Sequence, residues 1–111
     1  MIDWSRVAEL QDEIGSDSFT EVVDIFLTET GASVARLLEC GDRAYLAAEL
    51  HLLKGGALTI GFVDVAQLCQ QGEAMVKNGM AAQVDVAAIG RAYDLTCDAF
   101  LAQLPQHLMT G

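Results

Sequence analysis

The sequence predicts an all-α fold: an up-down antiparallel four-helix bundle with a short additional N-terminal helix. Apolar residues recur at spacings of three and four along most of the chain, as they do in helices that bury one face. The only proline, Pro105, lies near the C-terminus, so proline interrupts no earlier segment. Short connections between the last four segments favour antiparallel neighbours.

The first predicted helix runs from about Asp3 to Ile14 and is amphipathic. Asp3 is its expected N-cap, and Gly15 follows as a stop signal. Because residues three or four apart share one side of a helix, the buried stripe of this helix is predicted to consist of Trp4, Val7, Leu10 and Ile14.

The second predicted helix is longer and runs from about Ser18 to Glu39. Ser18 and Glu21 fit a capping box, in which each side chain bonds the other residue's free backbone N–H. Its inward face is predicted to consist of Phe19, Val22, Phe26, Ser33 and Leu37.

The third and fourth helices follow after short turns. Cys40-Gly41-Asp42 is a predicted turn, with Asp42 as the next N-cap. The third helix then runs to about Ile60, where Gly61 suits the left-handed position after a helix end. The fourth helix is predicted over residues 63–77 and ends at Asn78-Gly79.

The fifth helix is predicted to start near Asp85 and to continue to about Leu104. Its inward face is expected to consist of Val86, Ile89, Tyr93, Phe100 and Leu104. We therefore expect residues 1–111 to form a single domain, with the bundle core at about residues 18–104.

Composition argues against several kinds of partner and location. Six cations and sixteen acids give a net charge of -10, which disfavours nucleic acids and anionic membranes as partners. No apolar run has the length of a membrane span, and the N-terminus lacks a signal-peptide core. The three cysteines form no C-x-x-C pair, so we interpret them as buried thiols of a cytoplasmic protein.

One histidine stands out on the third helix. At about 100° per residue, a core stripe forms from Leu46, Leu50, Leu53, Ala57 and Ile60. His51 lies about 130° from the middle of that stripe, on the outer face. Its neighbours there are predicted to form a partner-binding surface that consists of Ala44, Ala47, Ala48, Gly55 and Leu58.

The residues beside His51 suit an anion. Lys54 lies one turn further along the helix, where its ammonium repels metal cations but can bond the oxygens of a phosphoryl group on the imidazole. Gly55 and Gly56 lack a Cβ, which would leave room for such a group and for a partner loop. From periodicity alone, an ordinary surface histidine is an equally good interpretation of His51.

The motif around His51 resembles a known family. The residues His51-Leu-Leu-Lys54-Gly55, followed by Gly61, are similar to the H-x-x-K-G-x-x-x-x-x-G signature of histidine-containing phosphotransfer (HPt) domains. The resemblance extends over about residues 18–104, and further matching stretches are Phe26-Leu27, Leu37, Gly41-Asp42, Ala66-x-Leu68-Cys69 and Glu73.

The resemblance implies a role for each matching site residue. His51 would be the phospho-acceptor, Lys54 would stabilise the phosphoryl group, Gly55 would give clearance and Gly61 would end the helix. Glu73 would orient the imidazole from the adjacent helix. The sequence departs from the family pattern at Leu50, where a small alanine is usual, and at Gly72, where a leucine is usual.

The function implied by the resemblance is that of a stand-alone phosphotransfer protein in a two-component phosphorelay. His51 would accept a phosphoryl group from a receiver-domain aspartate or a hybrid kinase and pass it to a response regulator. The chain has no G-x-x-x-x-G-K-[ST] loop, so no autonomous kinase activity and no intrinsic cofactor are expected. Mg²⁺ would belong to the receiver, and the chain would be a monomer.

Three alternatives remain open from the sequence. The bundle could be a docking module for receiver domains in which His51 carries no phosphoryl group. A di-iron bundle needs Glu-x-x-His ligands, but there are only two histidines and Leu104 precedes His107 by three residues. A hydrolase using His51 as a base would need a nucleophile, but the spacing places no serine or cysteine near His51, and a bundle surface offers no deep pocket.

Overall fold

The computed structural model describes residues 2–39 and 43–109, with side chains described from 2 to 39 and from 45 to 107. Its regular structure in these ranges is helical, which confirms the predicted all-α class. The elements are α1 (Trp4–Ile14), α2 (Ser16–Glu39), α3 (Arg43–Ile60), α4 (Val63–Lys77), a 3₁₀ turn (Ala81–Gln83) and α5 (Val86–Met109). No helix within these described residues is long and apolar enough to cross a membrane.

The helices pack around one elongated core. Helix α3 contacts α2 and α4, helix α5 contacts the same two helices, and α1 lies against α2 and α3. The bundle is elongated, with principal extents of 46 × 20 × 20 Å. All five residues of the predicted α3 stripe are buried: Leu46, Leu50, Leu53, Ala57 and Ile60.

Helix α1 begins and ends where the sequence predicts, whereas the prediction of a capping box at the start of α2 is wrong. The Asp3 carboxylate accepts from the Arg6 backbone N–H at 3.2 Å, and Gly15 ends α1 with φ 93°. Because Gly15 turns the chain sharply, α2 starts at once at Ser16. Ser18 therefore lies inside the first turn, where its backbone N–H donates to the Gly15 carbonyl at 3.3 Å.

The predicted inward face of α2 is only partly right. Phe19, Ser33 and Leu37 are buried, but Val22 and Phe26 keep partial exposure, and the further buried positions are Val23, Thr30 and Val34. Helix α2 packs against both α3 and α5, so its buried strip is wider than one apolar stripe. Thr30 belongs there because its hydroxyl bonds the Phe26 carbonyl and the Tyr93 hydroxyl, each at 2.7 Å.

The C-terminal helix is longer than the sequence predicts. Helix α5 continues through Pro105 to Met109 rather than ending at about Leu104. Proline removes one helical hydrogen bond but does not have to end a helix that packing supports. Here the His107 ring stacks on Trp4 at 3.7 Å between centroids, which ties the last turn of α5 to α1. The predicted inward residues Ile89, Tyr93, Phe100 and Leu104 are buried, and Val86 is partly buried.

Helix α3 ends as predicted, and its end is locked to the N-terminus. Gly61 has φ 85°, and the Asp3 backbone N–H donates to the Gly61 carbonyl at 2.8 Å. The Arg6 guanidinium donates to the Thr59 carbonyl at 3.0 Å, which satisfies one of the last carbonyls of the helix. The bounds predicted for α4 are also confirmed, whereas the predicted turn Cys40-Gly41-Asp42 lies outside the described residues.

Gly61 should tolerate no side chain. A Cβ there would lie 2.7 Å from the Asp3 carbonyl oxygen, and the positive φ adds strain. We expect Gly61→Ala to lower the free energy of unfolding by more than about 1 kcal/mol, measured by urea denaturation. Gly15→Ala is the matched control, because its φ is also positive but a Cβ would meet nothing within 4 Å. Equal losses in the two variants would contradict the close approach as the cause.

Candidate functional site

His51 lies on the outer face of α3, as the periodicity predicts. Its side chain is 73% exposed, while Leu50 and Leu53, which belong to the core stripe of the same helix, are buried. A ring in this position is open to a macromolecular partner rather than enclosed in a pocket.

The surface around the ring is low and partly apolar. Ala48, Gly55 and Leu58 are exposed and Ala47 is partly exposed, whereas the side chain of Ala44 lies outside the described set. Sequence reasoning missed two large apolar side chains on the same helix, because Leu52 is 58% exposed and Tyr45 is 68% exposed. Leu58 is also exposed, at 56%, and an exposed apolar side chain beside the ring suits contact with a partner.

Helix α4 supplies a carboxylate to the site. Glu73 Oε1 lies 2.9 Å from Lys54 Nζ, and Glu73 Oε2 lies 3.6 Å from His51 Nδ1. The Lys54 and Glu73 side chains are only 23% and 26% exposed, so solvent weakens their attraction less than it would for a fully exposed pair. One carboxylate thus lies between the ammonium and the imidazole.

This arrangement distinguishes the two ring nitrogens. A carboxylate on the Nδ1 side favours the tautomer that carries its proton on Nδ1. The lone pair is then on Nε2, at the opposite edge of an exposed ring. The imidazole can therefore act as a nucleophile through Nε2 while Nδ1 faces Glu73.

The two glycines that follow Lys54 have different surroundings. A Cβ at Gly55 would meet nothing within 4 Å, so no contact inside the described part of the protein requires glycine there. A Cβ at Gly56 would lie 2.8 Å from Thr30 Cγ2. The expectation that Gly56 leaves room for a partner is therefore wrong, since helix α2 occupies that space.

Leu50 and Gly72, the two residues that depart from the family pattern, lie against each other. Leu50 is fully buried, and a Cβ at Gly72 would lie 3.1 Å and 3.3 Å from its two Cδ atoms. The large side chain on α3 thus fills the space that the small residue on α4 leaves empty. Helix α4 runs without interruption through Gly72 and places Glu73 at the site.

The cysteines whose surroundings are described are not activated. Burial is the main cause that raises the pKa of the Cys69 thiol to about 12, and Glu73 raises it further while Lys54 lowers it. Burial also raises the pKa of Cys97. Both thiols are free and stay protonated near neutral pH, so neither is a reactive nucleophile. Cys40 lies outside the described residues.

Within residues 2–39 and 43–109, no three side chains of His, Cys, Asp or Glu lie together in a way that could hold a metal ion.

Comparison with known families identifies the chain. A family model described as the Hpt domain matches residues 21–108, which include His51, Lys54, Gly55, Gly61 and Glu73. The chain belongs to the Hpt domain family. Hpt domains take part in phosphotransfer in two-component phosphorelays, where they interact with receiver domains of response regulators. No curated protein and no solved structure gives a significant match.

Proposed function

We propose that this Hpt-domain protein is a stand-alone phosphotransfer protein in which His51 is the phospho-acceptor. The group would arrive from a receiver-domain aspartate or a hybrid kinase and leave to a response regulator. The observation that carries the proposal is the exposed His51 ring on a smooth face of α3, with an ammonium one turn away. The position of His51 inside the Hpt match supports the same assignment.

Transfer would pass the phosphoryl group between the receiver aspartate and Nε2 of His51. The aspartyl O–P bond breaks as the N–P bond forms, with the two heavy atoms roughly in line. Lys54 would stabilise the phosphoryl oxygens, and Gly55 would leave clearance for them. Glu73 would orient the ring through Nδ1. The Mg²⁺ would be bound by the receiver, because the proposal assigns no intrinsic cofactor and no kinase activity to this chain.

The proposed docking surface for the receiver consists of Ala44, Ala47, Ala48, Gly55 and Leu58. Small side chains there let a partner approach the imidazole closely, and the 56% exposed Leu58 offers apolar contact area. The surface carries few charges, so complementarity of shape would count for more than ion pairs.

We further propose that α2 to α5 form an up-down antiparallel four-helix bundle within one domain over residues 1–111. Each of these helices packs against two of the others, as expected for four helices around a common core. The proposal includes a monomer that acts in the cytoplasm. Free thiols at Cys69 and Cys97 suit that reducing compartment.

Lys54 should contribute strongly to the rate of transfer. A hydrogen bond to a charged group is worth about 1.5–3 kcal/mol, so we expect Lys54→Ala to slow phosphoryl gain by roughly ten- to a hundred-fold. Intact mass followed over time measures the rate. Lys77→Ala, at the exposed end of α4, is the matched loss of one positive charge. Equal rates for the two variants would remove Lys54 from the proposal.

The proposal is tested with a panel of phosphorylated receiver domains. Each is mixed with the purified protein, and intact mass is followed before and after acid treatment. Gain of one acid-labile phosphoryl group supports the proposal. Receivers that bind the protein but never transfer to it would overturn the proposal in favour of a docking module.

A further inference from the structure

We propose that Leu50 and Gly72 form a positioning pair that sets how closely α4 approaches α3, and so holds Glu73 in place beside His51 and Lys54. The inference rests on the proposed phosphotransfer function and deepens it. Each member of the pair directly precedes a site residue, because Leu50 is followed by His51 and Gly72 by Glu73.

The contact between the pair leaves no spare room. Leu50 is 0% exposed, and a single added Cβ at Gly72 would lie 3.1 Å from Leu50 Cδ1 and 3.3 Å from Val84 Cγ1. The Gly72 backbone is therefore enclosed by side chains on two sides. Because close-packed interiors transmit such changes, an added methyl group must displace either the Leu50 side chain or α4 itself.

The contacts of Glu73 with His51 and Lys54 cross the same interface between α3 and α4. Glu73 Oε1 on α4 reaches Lys54 Nζ on α3 at 2.9 Å, and Glu73 Oε2 lies 3.6 Å from His51 Nδ1. The second distance is already just beyond that of a hydrogen bond. A small outward shift of α4 at Gly72 would lengthen both contacts, leaving the imidazole and the ammonium without their shared carboxylate.

The pair would influence transfer only indirectly, by setting the position of Glu73 relative to His51 and Lys54. Neither Leu50 nor Gly72 is exposed to a partner, because both are buried. A misplacement of about 1 Å can slow a reaction by roughly a hundred-fold, so a shift of a few tenths of an ångström has an expected cost of about tenfold. A purely structural role would change the stability of the bundle and leave the ring of His51 in its original environment.

The test compares Gly72→Ala with Gly90→Ala, measuring the rate of phosphoryl gain and the ¹⁵N shifts of the His51 ring nitrogens. Both substitutions replace a buried helical glycine, but a Cβ at Gly90 would meet only ordinary contacts at 3.6 Å or more. We expect Gly72→Ala to transfer about tenfold more slowly with altered ring shifts, and Gly90→Ala to match the wild type. Wild-type rate and shifts in Gly72→Ala would overturn the inference.

A compensating double variant distinguishes a displaced Glu73 from a general loss of folding. Leu50→Val with Gly72→Ala removes one carbon atom and adds another across the same contact, so the double variant should recover most of the rate and the wild-type ring shifts. Failure to recover in a folded double variant would contradict the inference. If wild-type protein gains no phosphoryl group, the proposed function fails, but the ring shifts of the same variants still decide whether the pair positions Glu73.

Discussion

Replacing His51 by Gln should abolish phosphoryl gain completely while leaving the bundle as stable as the wild type. The substitution removes the nucleophilic nitrogen, and no other described group at the site can accept the phosphoryl group as an imidazole does. The side chain is 73% exposed, and its Nδ1 lies 3.6 Å from Glu73 Oε2. Surface substitutions of this kind change the free energy of unfolding by no more than about 0.5 kcal/mol.

Intact mass after incubation with a phosphorylated receiver measures the loss, and urea denaturation measures the stability. His107→Gln is the matched control, because it removes the other histidine of the chain. That variant should keep full labelling but lose some stability, since His107 stacks on Trp4. Labelling that survives in His51→Gln and disappears in His107→Gln would move the acceptor to the other end of the molecule.

Phe62→Ala is expected to have the largest effect on stability, a loss of about 3–5 kcal/mol. Phe62 is 0% exposed, and its ring lies edge-on to Phe100 at 5.4 Å and tilted against Tyr93 at 6.2 Å. Its backbone also pairs with Ile2. A small domain has about 5–15 kcal/mol of stability in all, so this one truncation would remove a large share of it.

Urea denaturation followed by circular dichroism gives the free energy of unfolding for Phe62→Ala. Leu58→Ala is the control, because it also shortens an apolar side chain near the end of α3, but one that is 56% exposed. We expect the control to stay within about 0.5 kcal/mol of the wild type. A loss below about 1 kcal/mol in Phe62→Ala would show that the aromatic cluster contributes less than its burial implies.

The helices and the exposure of His51 could be predicted from the sequence because helical geometry is local. The angle between His51 and the stripe that contains Leu50 and Leu53 depends only on their spacing along one helix. Gly15 and Gly61 marked helix ends correctly because a positive φ is a property of single residues. The capping box predicted at Ser18 was wrong because the sharp turn at Gly15 lets α2 begin at Ser16, two residues earlier than predicted.

Features that join two helices could not be predicted in this way. The ion pair between Lys54 and Glu73, the packing of Gly56 on Thr30 and the contact of Leu50 with Gly72 all depend on how one helix sits on its neighbour. The same holds for Glu49 on α3, whose carboxylate accepts from Arg36 at 2.7 Å and from Ser33 at 3.0 Å on α2.

Phe62 was missed for a different reason, because it lies in the short connection between α3 and α4. Helical periodicity assigns no face to a residue outside a helix, so it could not predict that the Phe62 side chain is buried. The resemblance to the Hpt family pointed to Glu73 on a second helix, which the spacing around His51 alone did not indicate, and the structure places its carboxylate near Lys54 and His51.

The most direct test of the central claim is to locate the phosphoryl group on the protein by NMR. Protein labelled with ¹⁵N at histidine is phosphorylated by a receiver domain, and ¹⁵N–³¹P couplings identify the bonded nitrogen. We predict one coupled nitrogen, Nε2 of His51, because Nδ1 faces Glu73 at 3.6 Å. Coupling to His107, or a stable mass gain with no coupling to any histidine nitrogen, would contradict the account.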